Sequence, residues 1–211
     1  MAYTDINPDV VYEVSNDVFN TGGDLSRDFM DFQSEVFNKI EESWYNENAV
    51  KVMPDAVTAV SKLHQGVFES LTSLGRALAQ AAQSWAEANG AAGYPIKAFG
   101  FSGVNFNCDV KDNKNGFRGM DVDVIQEVVY RAESIKGTMI ERLNKLRSAG
   151  EREGFRGGNM QAELTNVCET LKTQIENALN KVIDNITSNT GTAKSNVETA
   201  RSTTESTFTI S

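Results

Sequence analysis

Apolar residues recur at every third or fourth position along four long stretches of the sequence, and this spacing is typical of amphipathic α-helices. The first stripe consists of Val11, Val14, Val18, Leu25, Phe29, Phe32, Val36 and Ile40. The second consists of Met53, Ala56, Val60, Leu63, Val67, Leu71, Leu74, Leu78, Ala81 and Trp85. The third consists of Val122, Ile125, Val128, Val129, Ala132, Ile135, Met139, Leu143 and Leu146. The fourth consists of Leu164, Val167, Leu171, Ile175, Ala178, Val182, Ile186, Ala193 and Val197. The pattern predicts an all-α protein with four helices.

Punctuating residues mark the helix boundaries. Asn7 is a suitable N-cap, and Pro8 suits the first helical position because its missing N–H would have no partner there. The pair Gly22–Gly23 weakens the first helix locally, but the apolar stripe keeps its phase across it, so we expect one continuous helix. Pro54 suggests that the second helix begins or kinks nearby. Asn89–Gly90 is a typical helix end.

Residues 93–119 have a different character, because they are rich in Gly, Asn and Phe and lack a helical period. Four residues alternate as an extended strand would: Val104, Phe106, Cys108 and Val110. Asn115–Gly116 is a turn signal, and Asp121 is a candidate cap for the third helix. We expect a linker that carries a small hairpin.

The two halves of the chain show the same plan. Trp44 and Phe155 each lie in a polar break between two stripes, 111 positions apart (155 − 44). The same shift carries Val11, Val14 and Val18 onto Val122, Ile125 and Val129, and it carries Met53, Ala56, Val60, Val67 and Leu71 onto Leu164, Val167, Leu171, Ala178 and Val182. Any two amphipathic helices can be slid into phase, but two matched helices and a matched break favour an internal repeat.

The repeat divides the chain into two helical hairpins. Residues 1–92 form the first hairpin, 93–119 form the linker, and 120–211 form the second hairpin with a frayed Ser/Thr-rich tail. A single hairpin buries one side of each helix, whereas two hairpins packed face to face bury all four stripes. We therefore predict an elongated four-helix bundle.

Chemically reactive residues are sparse. His64 is the sole histidine, and its place beside the second stripe favours a packing role over catalysis. The two cysteines, Cys108 and Cys168, lie in unlike contexts and are expected to be free thiols. Three or four His, Cys or carboxylate ligands are usual for zinc, and a nucleophile–base pair is usual for covalent catalysis. We therefore expect no catalytic, cofactor-binding or metal site.

The charge and hydropathy of the chain restrict its partners. A net charge of −9 disfavours nucleic acid, whose phosphates attract a cationic surface. No apolar run is long enough for a transmembrane helix, so no integral membrane segment is expected. The first ten residues lack the basic and apolar regions of a secretory signal. We therefore expect the protein to be synthesised in the cytoplasm. Any export would use a route that does not depend on a cleavable signal peptide.

The first break and the helix after it resemble a known pattern. The run Trp44-Tyr45-Asn46, followed by VFESLTSLGRALAQAAQSWAEANG, resembles the WXG family of helical-hairpin proteins exported by bacterial type VII secretion. That family places a Trp-x-Gly turn between two helices and pairs as four-helix dimers. The first copy has Asn46 in place of the glycine, and asparagine tolerates a positive φ. The second copy has Phe155-Arg156-Gly157, and no tyrosine follows Tyr130 to form the family's Tyr-based export signal.

The resemblance, over about residues 8–90 and 120–200, implies a non-enzymatic secretion substrate, adaptor or chaperone-like partner of an effector. It implies a protein partner and a monomeric pseudo-dimer rather than an obligate dimer. Trp44, Asn46, Phe155 and Gly157 would form the hairpin turns and anchor the partner, although each aromatic could simply close its hairpin. We expect Phe155 to be less buried than Trp44, because Arg156 and three glycines surround it. A filament-forming structural protein is the alternative, and a helical hydrolase or toxin is a third class.

Overall fold

Helices account for most of the residues that the computed structural model describes, which are 6–90, 92–95, 103–116, 118–156 and 158–208. The helices are α1 (Pro8–Phe32), a π-helical turn (Gln33–Phe37), α2 (Asn38–Ser43), α3 (Glu47–Ala88), α4 (Val122–Ala149) and α5 (Asn159–Phe208). Two short strands, β1 (Trp44–Tyr45) and β2 (Gly119–Met120), complete the described elements. The backbone stays helical at Phe32, Phe37 and Asn38, so α1, the π-helical turn and α2 form one continuous helix. The predicted all-α fold with four helices is confirmed.

The helix ends follow the predicted caps, with one correction. The Asn7 side chain accepts a hydrogen bond from the Asp9 N–H at 2.9 Å, and α1 runs unbroken through Gly22–Gly23. Helix α3 runs from Glu47 to Ala88 with Pro54 inside it, so of the two possibilities at the proline the helix does not begin there. The reason is Asn46, whose side-chain oxygen accepts the Ala49 N–H at 2.9 Å and caps the helix.

Lys114 forms a single β-bridge directly before the turn at Asn115–Gly116, and the residue after that turn lies outside the described residues, so the predicted small hairpin stays a prediction. Strand β2 pairs with β1 in antiparallel fashion, with Trp44 opposite Met120 and Tyr45 opposite Gly119. Before the turn at Asn115–Gly116, residues 103–111 are extended and belong to no strand. The predicted alternation is confirmed in their burial, since Phe106 and Val110 are buried while the intervening odd-numbered residues are exposed.

The chain forms two compact units, and each draws on all four helices. Unit 1 contains Met1–Met30, Ser61–Val104 and Lys136–Asn177, and unit 2 contains Asp31–Val60, Asn105–Ile135 and Ala178–Ser211. Fully buried residues of unit 1 include Leu25, Phe29, Leu71, Met139, Phe155 and Ile175. Those of unit 2 include Phe32, Phe37, Ile40, Trp44, Met53 and Ile125. Each such side chain stabilises its unit by about 1.5–3 kcal/mol, and the compact units do not coincide with the hairpins of the sequence.

Burial corrects the alignment of the first helices of the two repeats. The shift of 111 places Val11 on Val122, which is only half-buried, whereas a shift of 114 (125 − 11) places it on the fully buried Ile125. The shift of 114 also aligns the caps Asn7 and Asp121, and it holds as far as Phe32 and Leu146. Twelve positions then separate Phe32 from Trp44 (44 − 32), but nine separate Leu146 from Phe155 (155 − 146). The three additional residues lie in the segment that contains the π-helical turn and α2.

Ion pairs join α1 to α4 within unit 1. Arg142 donates to Asp28 through Nε at 2.7 Å and Nη2 at 3.1 Å, and to Asp24 through Nη1 at 2.9 Å. After the end of α4, Arg152 Nη2 lies 2.6 Å from Asp17 Oδ2. These bidentate and charge-assisted contacts fix the position of α4 along α1, because the guanidinium presents its donors in a rigid fork.

Candidate functional site

The first hairpin turn surrounds Trp44, whose side chain is completely buried. The indole Nε1 has no hydrogen-bond partner among the described residues. The Trp44 side chain is therefore held in the turn by packing of its ring. One residue earlier, the Ser43 carbonyl accepts a hydrogen bond from the Asp121 N–H at 2.8 Å. Because Asp121 is the N-cap of α4, the start of the second hairpin is bonded to the turn of the first.

Asn46 does not act as a glycine substitute in this turn. Among the described non-glycine residues, Asn115 is the one with a positive φ, at 54°. Asn46 instead caps α3 through its side chain, as described above. The expectation that its tolerance of a positive φ matters here is therefore wrong, because the turn is formed by the β1–β2 pair and a helix cap.

The second hairpin turn surrounds Phe155, which is also completely buried. The expectation that Phe155 would be less buried than Trp44 is wrong. The Phe155 and Arg156 N–H groups both donate to the Arg152 carbonyl, at 3.1 Å and 3.0 Å, and close the turn over the ring. Gly154 has a φ of +87°, and its carbonyl accepts the Asn7 N–H at 2.8 Å. The fourth predicted turn residue, Gly157, lies outside the described residues.

The two turns are closed in the same way. Ser43 and Gly154 lie 111 positions apart (154 − 43), and each backbone carbonyl accepts an N–H from the cap of the other hairpin's first helix. The donors are Asp121 and Asn7 respectively. We call this pair of hydrogen bonds the reciprocal closure. In this conformation Trp44 and Phe155 lie inside the turns and offer no ring surface to a partner.

The histidine packs on an aromatic ring. His64 is half-buried, and its ring meets Phe29 edge-on with centroids 5.0 Å apart. Burial lowers the pKa of His64 below its ordinary value of 6.5. The packing role that the sequence favours is consistent with this position.

The two cysteines are free thiols, as predicted. Burial, with Glu41 as the next cause, raises the pKa of Cys108 to about 12. Burial likewise raises the pKa of Cys168 to about 12, with Glu169 acting in the same direction. A thiol with such a pKa is protonated at neutral pH, and the thiolate is the form that attacks substrates or binds metals.

The described residues also bear on two other kinds of site, a metal site and a membrane-spanning helix. No group of three or more His, Cys, Asp and Glu side chains there is placed to hold a metal ion. In the same part of the chain, no helix has an apolar stretch as long as a membrane crossing requires.

Grooves run along the surfaces of both units. In unit 1, a groove of about 430 Å³ lies between α1 and α4, and its charged lining includes Asp24 and Arg142, which already bind each other. In unit 2, a groove of about 300 Å³ lies between α4 and α5, lined by Gln126, Val129, Thr187, Thr190 and Gly191. The residue after Val129, Tyr130, has a side chain that is 69% exposed.

Comparison with known proteins gives no relative from which a function could be transferred. No protein-family model, curated protein or solved structure matches the chain. The arrangement of the chain's own residues therefore has to support any functional assignment.

Proposed function

We propose that the chain is a non-enzymatic, tandem WXG-like protein of a type VII secretion-like pathway. In this role it binds through its helices and serves as a substrate, adaptor or chaperone-like partner of an effector. The observation that supports the proposal best is the reciprocal closure, in which Asp121 bonds to Ser43 and Asn7 bonds to Gly154. In the WXG family, two separate hairpins pair as a four-helix dimer. Two hairpins that close each other's turns within one chain are what fusion of such a dimer would produce.

A non-enzymatic role agrees with the state of the reactive side chains. His64 packs against Phe29, and the pKa of each thiol is raised to about 12. Neither thiol is therefore placed to act as a nucleophile at neutral pH. Binding, rather than chemistry on a small substrate, is the role that these residues favour.

Pairing inside the chain determines where a partner has to bind. Most of the described residues of the apolar stripes are buried, so we expect a partner to use an outer face of the helices. We propose the surface of α4 and α5 in unit 2 that includes the exposed Tyr130 and the nearby groove lined by Val129 and Thr190. A tyrosine combines a large apolar surface with a polar hydroxyl, and such residues often anchor partners at interfaces.

Site-specific crosslinking in the host bacterium tests this proposal. A photoreactive amino acid replaces Tyr130 in one variant and the exposed Lys51, also in unit 2, in a control variant. We expect Tyr130 crosslinks to an effector or to the secretion ATPase, and fewer crosslinks from position 51. Export of the captured effector should fall when the secretion ATPase is deleted. Crosslinks to copies of the same chain, together with filaments in electron micrographs, would instead support the structural alternative.

A further inference from the structure

An extended segment of the linker has its residues 105–111 in unit 2, where they lie along the first helix of that unit. We call residues 103–111 the strap. Its contacts come from Gln33, Phe37 and Glu41, which are spaced four residues apart in the π-helical turn and α2. π-Helical turns occur frequently at functional sites, because they alter the spacing of a helical surface.

Gln33 binds the strap backbone as a neighbouring strand would. The Asn107 N–H donates to Gln33 Oε1 at 3.0 Å, and Gln33 Nε2 donates to the Asn107 carbonyl at 2.9 Å. One side-chain amide thus satisfies both backbone groups of a single residue. Two positions later, the Asp109 N–H donates to Glu41 Oε2 at 3.1 Å. Gln33 Nε2 also lies 2.8 Å from Asn107 Oδ1 and 2.7 Å from Asn38 Oδ1. The other hydrogen bonds address the peptide backbone and so do not require particular side chains in the bound segment.

The alternate side chains of the strap face the helix. The Phe106 ring meets Phe37 edge-on with centroids 6.4 Å apart, and Val110 is also buried. Between them, Cys108 is half-buried and its thiol donates to the Phe37 carbonyl at 3.4 Å. Backbone hydrogen bonds combined with pockets for every second side chain are the means by which proteins bind extended peptides.

We infer that the helix face formed by Gln33, Phe37 and Glu41 is a binding site for an extended segment of a partner protein, and that the strap occupies this site in the free chain. The fitting segment has apolar residues at three alternate positions, as Phe106, Cys108 and Val110 have, with an aromatic residue first. The strap belongs to no β-ladder, so it can leave without breaking one. This inference does not depend on the proposed export role, because a peptide site would serve any partner.

Competition between the tethered strap and a free peptide gives the proposal a measurable consequence. A tethered segment acts at an effective concentration of roughly millimolar, so the intact chain should bind an added peptide weakly. Removing the strap should therefore raise the affinity for the peptide. We expect an increase of at least about tenfold, since even a poorly matched tether leaves effective concentrations well above those of the assay.

The experiment measures fluorescence anisotropy of a labelled peptide, GVNFNCDVK, with three full-length proteins. One is the unchanged chain. The second has residues 103–111 replaced by a Gly/Ser sequence of equal length, and the third carries Phe106→Ser and Val110→Ser in an otherwise intact strap. Circular dichroism establishes that each variant is folded. We expect both variants to bind the peptide more tightly than the unchanged chain does, so the double variant tests the proposal even where the replacement does not fold.

Two controls distinguish a receptor site from a purely structural contact. In either folded variant, Gln33→Ala should weaken peptide binding by roughly three- to tenfold per lost hydrogen bond. Gln65→Ala, which changes an exposed glutamine of α3 in unit 1, should leave binding unchanged. A second peptide with a different aromatic residue and different aliphatic residues at the alternate positions should bind within about tenfold of the first, because the hydrogen bonds address the backbone.

Three outcomes would overturn the inference. The first is that folded variants do not bind the peptide. The second is that they bind only the chain's own sequence, which would make the strap a structural element. The third is that the unchanged chain forms dimers whose formation is abolished by the strap substitutions, which would make the occupant a second copy of this chain.

Discussion

Arg142 of α4 holds the carboxylate of Asp28 of α1 through two hydrogen bonds, from Nε at 2.7 Å and from Nη2 at 3.1 Å. The side chain of Asp28 is 7% exposed and that of Arg142 is 32% exposed, so water screens this pair less than it screens a surface pair. The same guanidinium also reaches Asp24. The contact should therefore stabilise unit 1 more than an exposed ion pair would.

Arg142→Met should destabilise the protein by about 1.5–3 kcal/mol, as expected for hydrogen bonds to charged groups. Urea denaturation followed by circular dichroism measures the change. The matched control is Arg131→Met, because Arg131 of α4 pairs with Glu127 where both side chains are exposed. That variant should lose less than about 0.5 kcal/mol. Equal losses in the two variants would mean that burial of Asp28 does not strengthen its ion pair.

Trp44→Ala and Phe155→Ala should each cost about 3–5 kcal/mol of unfolding free energy, because both rings are completely buried. This differs from what the sequence predicts, because the sequence predicts that Phe155 is less buried than Trp44 and its loss would then cost less. Tyr130→Ala is the control, since its ring is 69% exposed and its loss should cost less than about 0.5 kcal/mol. Chemical denaturation of the three variants checks the order. A loss at Phe155 as small as that at Tyr130 would be incompatible with a closed second turn.

Gly154→Ala tests the closure of the second turn by α1. An alanine there would adopt a φ of +87°, and its Cβ would lie 2.8 Å from the Asn7 Cβ. We expect a loss of about 1–3 kcal/mol from the backbone strain, with a further loss from displacement of Asn7. Gly90→Ala provides the matched control, because Gly90 has a φ of +71° with nothing within 4 Å of the added carbon. Thermal melts that place the two variants at the same midpoint would argue against a close approach of Asn7.

The stability of the protein should decrease in mild acid because of His64. Burial lowers the pKa of His64 in the folded chain below 6.5, so the unfolded chain binds more protons in the interval between the two values. The stabilisation is therefore present above about pH 6.5 and is lost as the pH falls toward the folded-state pKa. Urea midpoints at about pH 7.5 and about pH 5.5 measure the slope. His64→Gln should flatten it, and an unchanged slope in that variant would assign the effect to other groups.

The helices could be predicted because their burial is periodic. Leu25, Phe29 and Phe32, for example, fall on one face whatever the neighbouring chain does, and Asn7 and Asp121 cap helices through local hydrogen bonds. The alternating burial of Phe106 and Val110 could also be predicted from the sequence. The helix on which this extended segment packs could not be predicted, because alternation indicates an extended backbone and does not reveal whether a strand or a helix packs against it.

The features that escaped prediction depend on the backbone. The acceptors of the reciprocal closure are the carbonyls of Ser43 and Gly154, and every residue has a carbonyl, so composition gives no signal for them. The burial of Phe155 was missed because neighbouring glycines suggest mobility, whereas the positive φ of Gly154 closes the turn. The π-helical turn was missed because the apolar stripe continues through Val36 without a visible change.

The first hairpin has three more residues between Phe32 and Trp44 than the second hairpin has between the corresponding residues, so the two hairpins differ in length before their turns. A hypothetical chain built from two copies of the second hairpin could still close both turns. Such a chain would lack Gln33, Phe37 and Glu41, so the segment that connects its hairpins would have no helix face to contact. Duplication of one hairpin would account for the shared architecture, and a three-residue insertion in the first copy would account for the helix face on which the strap lies. The two halves therefore share the hydrogen bonds of their caps and differ from the π-helical turn onward.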